Sequence, residues 1–352
     1  MDLTAWHREI ASGRRRGPVA SLARGLLRAA SAPYGAVAAK VAREYDAGRR
    51  ETFAAAVPVI SVGNLTAGGT GKTPVTAHFA NLLYRLGRRV AIVSRGYKPL
   101  PGDPAGRNDE ALVLEALASH AVLIINRDRV AGATRAVEDF RADVVLLDDG
   151  FQHRRLRRDL DVVLLDATEP FGFDRLLPAG RLREPVTALR RADLAVITRA
   201  ESVDEGVLAD IRRRVAEIAP GLSTAAVAFE PSWASEEKPH GRIGAFCGLG
   251  NPDGFLATLQ RLGVTPTVFE AFPDHHRYGP ADLSRLVVLA ERHRLDAWAC
   301  TRKDAVKLDR TEPPFDRAPL AVVDQSVRFV DGAADTAAML RFAISESRAH
   351  AA

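Results

Sequence analysis

Between Gly68 and Thr73 the chain reads G-G-T-G-K-T. Three glycines let a backbone wrap with its N–H groups turned inward. Those donors, together with the N-terminus of a following helix, suit phosphate oxygens. Lys72 could then reach the β- and γ-phosphates, and the Thr73 hydroxyl suits Mg²⁺. The stretch Thr66-Ala67-Gly68-Gly69-Thr70-Gly71-Lys72-Thr73 matches the phosphate-loop pattern G-x-x-x-x-G-K-[ST] except at Thr66, where the pattern has glycine. That exchange removes one permissive backbone position, but neither a donor nor the lysine. The bland alternative is a tight turn with a coincidental lysine. The placement between an apolar β-branched run, "VPVISVG", and a helical run argues for phosphate binding.

A phosphate loop alone does not name a reaction, and it needs acids for the metal. "DVVLLDDGFQH" supplies Asp148 and Asp149 after four apolar residues. In a parallel sheet such acids emerge at the carboxyl edge, where the loop also lies. Their hard oxygens suit Mg²⁺. Asp109 and Glu110 open a helix, where acids also serve as ordinary dipole partners. "FPDHHRY" offers Asp274, His275 and His276. Adjacent histidine side chains diverge, so this pair is a poor metal site. "GRLREP" and "HRRLRR" offer arginines to an anionic substrate or a transferring phosphoryl group, with solvated surface arginines as the alternative.

The elements that must position these groups follow from hydrophobic periodicity. Apolar runs of four to eight residues alternate with helical patterns from Val57 to about residue 200. That predicts a doubly wound, mostly parallel α/β sheet of the P-loop NTPase type. The pattern resets after residue 200. "PSWASEEKPHG" reads as a connection, and a second, smaller α/β unit follows, ending in the helix "GAADTAAMLRFAISESRAH". The expected organisation is an N-terminal segment 1–50, a kinase-type domain 51–200, a connection 201–240 and a smaller domain 241–352. The C-terminal helix has the option of packing back on the first domain. In the N-terminal segment Val19, Leu22, Leu26 and Leu27 recur at helical spacing among arginines, Pro33 interrupts, and a second short helix carries Val37 and Val41. Such a basic amphipathic segment suits a lipid interface; the alternative is a helix packed on the main domain.

Composition bounds the rest. The chain has 352 residues and a net charge of +5, and six of its 49 basic residues are lysine. That arginine skew weakens any case built on arginine clusters alone. Cys247 and Cys300 form no disulfide framework and read as buried thiols of a reducing compartment. No run approaches the ~18 apolar residues that span a bilayer. The start lacks a secretory pattern, so the expected location is the cytoplasm or a membrane face bordering it. No zinc-finger, RNP or basic-zipper pattern appears, so nucleic acid is not an expected partner. A GTPase-like switch is disfavoured too: in "TRKD" the lysine stands one place late, and no D-x-x-G follows the metal strand.

Taken together, "VPVISVGNLTAGGTGKTPV", "VSRGY", "NRDRVAGA", "DVVLLDDGFQHRRLRRDLDVVLLDA", "LLPAGRLREP", "RADLAVITR", "CGLGNPDGF", "FPDHHRY" and "TRKDAVKL" resemble, in this order, the tetraacyldisaccharide 4′-kinases of lipid A biosynthesis. In that family Ser or Thr commonly replaces the first loop glycine. The resemblance implies a peripheral enzyme on the cytoplasmic face of the bacterial inner membrane. It would move the γ-phosphoryl of ATP to the 4′-hydroxyl of a tetraacyldisaccharide 1-phosphate, forming lipid IVA. It also implies ATP and Mg²⁺ on Lys72, Thr73, Asp148 and Asp149, and Asp109 as the base, with His275 paired to it. Arg183 and Glu184 would lie near the phosphates, and Gln152 and His153 would face the site. A basic N-terminus would dock on anionic headgroups, and the smaller domain would close over the nucleotide. Two departures from the family pattern stand out: Asn108 replaces the glycine before Asp-Glu, and the segment Lys98 to Arg107 is short.

Overall fold

The computed structural model describes residues 3–96, 103, 105–235 and 238–346. Tyr97 and most of the short segment after it, residues 98–102 and 104, lie outside them, as do Glu236, Glu237 and residues 347–350 of the expected final helix. The chain divides into two units. Unit 1 is Met1–Arg95, His120–Ala228 and Arg328–Ala352; unit 2 is Gly96–Ser119 and Phe229–Val327.

Unit 1 begins with helices α1 (Leu3–Ala11) and α2 (Pro18–Asp46). Then come β1 (Val59–Asn64), α3 (Lys72–Arg85) and β2 (Val90–Ser94). Helix α4 (Asp109–Leu117) belongs to unit 2. Unit 1 resumes with β3 (Val122–Ile125), α5 (Arg129–Glu138), β4 (Val144–Asp148), β5 (Leu160–Asp166), β6 (Leu194–Thr198) and α6 (Glu205–Ile218). The next strand, β7 (Ser223–Trp233), has residues in both units.

The strand order in unit 1 is β3-β2-β4-β1-β5-β6-β7, and its registered pairs are parallel. Every residue of β1, β5 and β6 is buried, as expected when helices cover both faces of a parallel sheet. Alternate side chains feed two cores. Val59, Val93, Val145 and Leu147 enter one, and Leu65, Val163, Leu165, Ala195 and Ile197 the other. Each buried Val, Ile or Leu contributes roughly 1.5–3 kcal/mol, so the central strands form a firm base for the loops at their carboxyl ends.

Unit 2 contains β8 (Ile243–Gly248), α7 (Pro252–Arg261), β9 (Val268–Phe272), α8 (Pro280–His293), β10 (Ala297–Thr301) and α9 (Arg302–Ala305). Strand β11 (Leu320–Asp331) again has residues in both units, and α10 (Ala333–Glu346) lies in unit 1. The order here is β11-β10-β8-β9, with parallel registered pairs. Phe246 centres the core, edge-on to Trp298 at 5.7 Å and to Phe272 at 6.4 Å.

Two local expectations need correction. Pro33 does not interrupt the N-terminal helix; α2 runs through it from Pro18 to Asp46. Proline removes one backbone bond, but contacts on either side hold the helix. Ser31 Oγ donates to the Leu176 carbonyl at 3.1 Å, and the Tyr34 hydroxyl donates to the Arg183 carbonyl at 2.8 Å. Pro231-Ser232-Trp233, read as the start of a connection, lies in β7. The β7 ladder to β6 covers Ser223 to Ala226, so the missing N–H of Pro231 costs that ladder nothing.

Helix α2 has two distinct faces. One face packs on unit 1: Arg154 pairs with Asp46 at 2.7 Å, and a Cβ on Gly35 would stand 2.9 Å from Leu176. Val19, Leu22, Leu26 and Val37 share another stripe and are 63–79% exposed. Among the described residues no helix is long and apolar enough to cross a membrane.

Candidate active site

The loop after β1 is built as the glycine pattern demands. Gly68 and Gly71 take φ values of +113° and +80°, where a side chain is strained. A Cβ on Gly68 would also run into the Arg181 guanidinium. Thr66 is different. It forms an antiparallel bridge with Leu182 and is almost fully buried. It is not among the positive-φ residues, so a β-branched side chain fits there without strain. The bridge fastens the loop to the segment carrying Arg181 and Arg183. The Ala67 N–H donates to the Arg181 carbonyl at 2.7 Å, Arg181 Nε donates to the Ala67 carbonyl at 2.8 Å, and the Arg183 N–H donates to the Leu65 carbonyl at 2.8 Å.

Asn64, the last residue of β1, organises the loop from within. Its buried Nδ2 donates to the Thr66 carbonyl at 2.8 Å and to Thr70 Oγ1 at 2.9 Å. Its Oδ1 accepts from Lys72 Nζ at 3.4 Å. Thr198, at the end of β6, donates to the Thr70 carbonyl at 2.9 Å. Lys72 and Thr73 are the first two residues of α3, behind the left-handed Gly71. Gly69 lies between these anchors, and a Cβ there would meet nothing within 4 Å.

Register brings the acids to this loop. β4 pairs with β1 so that Asp148 stands opposite Val62. Asp148 accepts from Ser94 Oγ at 3.0 Å and from Thr76 Oγ1 at 3.4 Å. Asp149 adopts φ +54°, a conformation that Asp tolerates better than most residues and that turns it out of the strand path. Arg183 Nη1 lies 2.9 and 3.0 Å from its two oxygens, and Lys72 Nζ lies 3.5 Å from it. Burial works to raise the Asp149 pKa, but Lys72 and Arg183 outweigh it and hold the carboxyl below its usual range. Gln152 Oε1 accepts from Arg183 at 3.3 Å, while its Nε2 donates to the Asn64 carbonyl at 2.9 Å. The Thr73 hydroxyl and the carboxylates of Asp148 and Asp149 are hard oxygen donors, the chemistry that Mg²⁺ takes.

Glu184 is paired with Arg191. Its two oxygens take Arg191 Nη1 and Nη2, each at 2.8 Å, and that guanidinium lies over Phe151 with its carbon 3.8 Å from the ring centroid. The Arg183–Glu184 segment is thereby anchored to the core. His153 is also turned inward, with Nε2 buried and unpartnered. Burial and then the nearby Arg129 push its pKa down to about 4.

In unit 2, Asp109 opens α4 with only 6% of its surface exposed. Asn108 caps this helix by accepting the Ala111 N–H at 2.8 Å. Asp109 Oδ2 lies 3.0 Å from His275 Nδ1. His275 takes φ +58°, in the loop after β9, and its Nε2 lies 3.4 Å from Lys303 Nζ. His276 instead pairs with Asp282 at 3.0 Å. Sequence reading missed Asn64, Arg181 and Lys307, whose Nζ lies 3.1 Å from Asp109 Oδ2. Asn64 and Lys307 sat inside quoted motifs, but no spacing rule marks them. Arg181 was one of two arginines in "GRLREP".

A phosphate loop after a buried strand, Asp148 and Asp149 at the end of the adjoining strand, and a lysine and an arginine on the second acid define a nucleotide-binding protein of the P-loop type. The family is narrower than that class. The model of the tetraacyldisaccharide-1-P 4′-kinase family, LpxK, matches residues 23–344, and the chain belongs to this family. Among its relatives is a tetraacyldisaccharide 4′-kinase of Anaeromyxobacter sp. (strain K), 41% identical over 329 residues, covering 86% of this chain and 85% of the relative. One from Syntrophotalea carbinolica is 41% identical over 298 residues, covering 80% and 82%. Among solved structures, LpxK from Aquifex aeolicus in complex with ATP aligns with a TM-score of 0.72 and 29% identity, over 91% of this chain and 99% of that one.

Proposed function

We propose that this kinase transfers the γ-phosphoryl of ATP to the 4′-hydroxyl of a tetraacyldisaccharide 1-phosphate, forming lipid IVA. In a chain of this family, the observation that carries the reading is the convergence of Lys72 and Arg183 on Asp149 beside the phosphate loop. Phosphoryl transfer asks mainly for alignment and charge stabilisation. The N–H groups from Gly68 to Lys72, with Lys72 itself, hold the β- and γ-phosphates. Arg183 counters charge on the transferring group. Thr73, Asp148 and Asp149 would hold Mg²⁺, which supplies further charge neutralisation at the phosphate oxygens.

Asp109 is the base. The 4′-O–H bond breaks as the new O–P bond forms, the proton passes to the Asp109 carboxylate, and the bond from Pγ to the β,γ-bridging oxygen breaks to release ADP. His275 orients Asp109 through the 3.0 Å contact. Glu184 acts at one remove, by anchoring Arg183's segment through Arg191. The acyl chains of the substrate lie in a bilayer, and the exposed stripe of α2, with Arg24, Arg28 and Lys40 on the same helix, suits an anionic membrane surface. The proposed setting is the cytoplasmic face of the inner membrane. The test is the position of the new phosphate. Product formed from ATP, Mg²⁺ and the lipid acceptor in mixed micelles should carry it on the 4′-oxygen by mass spectrometry and NMR. Phosphate at another position, or transfer only to soluble sugars, would contradict the reading.

A further inference from the structure

Asp109 has a second cationic neighbour. Lys307 Nζ lies 3.1 Å from Asp109 Oδ2, the same oxygen that His275 Nδ1 approaches at 3.0 Å. The Lys307 side chain is 6% exposed and follows the short helix α9. Its ammonium also donates to the His276 carbonyl at 3.1 Å and stands 3.8 Å from Asp304 Oδ1. Asp304 is fully buried and is itself fixed. Thr301 Oγ1 donates to its Oδ2 at 2.6 Å, and the Gly248 N–H donates to its Oδ1 at 3.2 Å. Burying an ammonium is costly unless it is paired and hydrogen-bonded. Here a carbonyl and two carboxylates surround it, so its place is determined by the fold of unit 2.

We propose that Lys307 is a positioning residue for Asp109: with His275 it holds Oδ2 and so leaves Oδ1 to receive the hydroxyl proton. This rests on the reading of Asp109 as the base. A carboxylate with one oxygen clamped by two partners has one rotamer and one oxygen left to offer. Proton transfer is sensitive to that alignment. Lys307 also ties Asp109, on α4, to His276 in the loop that carries His275. One ammonium thus fixes both members of the Asp109–His275 pair relative to each other.

Lys307→Met alone would leave Asp304 buried without its cation, so the change is best made in an Asp304→Asn background and compared with that background. Folding is followed by circular dichroism. The expected result is a fall in kcat of about 30-fold or more with KM for ATP within about twofold, since the loss lies in the transition state and not in nucleotide binding. A second comparison introduces Lys307→Met into Asp109→Asn. With the carboxylate gone, the lysine change should cost less than about threefold more, because residues acting as a unit are not additive. Unchanged kcat in the folded Lys307→Met protein overturns the proposal, as does a full multiplicative loss in Asp109→Asn. Normal turnover by Asp109→Asn alone would remove the base reading and the proposal with it. An impaired Asp109→Asn beside a normal Lys307→Met overturns only the role of Lys307.

Discussion

Arg183 grips both oxygens of Asp149, at 2.9 and 3.0 Å, from a segment that is itself bonded to the phosphate loop. The acid proposed for the metal and the cation proposed for the phosphoryl group are therefore set by one another. Arg183→Ala should lower kcat by roughly 10³ if the guanidinium stabilises transferring charge. ATP affinity should change far less. Steady-state kinetics beside ATP titration separates the two; a loss confined to ATP binding would contradict this role.

A Cβ on Gly68 would meet the tip of the Arg181 side chain, and the φ of +113° does not suit a side chain. Gly68→Ala should raise KM for ATP at least about tenfold while leaving the fold intact, because the strain falls on the loop and not on the sheet. Adding Arg181→Ala removes the clash but not the unfavourable φ, so recovery should be partial. Full recovery would place the whole effect on the clash.

Thr66→Gly restores the commoner loop pattern, yet no gain is expected. Thr66 sits in an extended bridge with Leu182 and needs no left-handed backbone. The substitution adds chain entropy to the unfolded state and removes buried atoms, at a cost of about 1 kcal/mol. Thermal melts should show a lower Tm with KM for ATP unimproved. A tighter ATP complex would mean that Thr66 restrains the loop.

The sheet of unit 1 was readable because its strands are short β-branched runs buried on both faces, and the phosphate loop was readable because glycine and lysine carry its geometry. Harder to read was anything that depends on distant packing. Pro33 signals a break, yet tertiary contacts at Ser31 and Tyr34 carry the helix through it. Pro231 hid the end of β7. No local pattern joins Gly96–Ser119 to Phe229–Val327 in one unit, so the contact between Asp109 and Lys307 has no signature in either stretch. The contact between Asp109 and His275 was reached through resemblance, not spacing.

His153 ties stability to pH. Its pKa of about 4 in the folded chain lies below the ordinary 6.5, so protonation favours the unfolded state. The contribution is fully present above about pH 6.5 and is lost as pH falls toward 4. The wild-type Tm should drop across that window, and His153→Gln should flatten part of the drop. Parallel curves for the two proteins would exclude His153 as a source.

On α2, Leu22→Glu with Leu26→Glu places charge on the exposed apolar stripe without touching the Ser31 and Tyr34 contacts. Sedimentation with anionic vesicles should show binding reduced at least about tenfold, with an unchanged melting curve. Equal vesicle binding would locate the membrane contact elsewhere.

The central claim is tested most directly by label transfer from [γ-³²P]ATP to tetraacyldisaccharide 1-phosphate in micelles with Mg²⁺, run on wild type and Asp109→Asn beside ATP titrations of both. Wild type should yield labelled lipid, and Asp109→Asn should be slower by roughly 10²–10⁴ with the same ATP affinity. No labelled lipid from folded, ATP-binding wild type, or equal rates for the two proteins, would contradict the account.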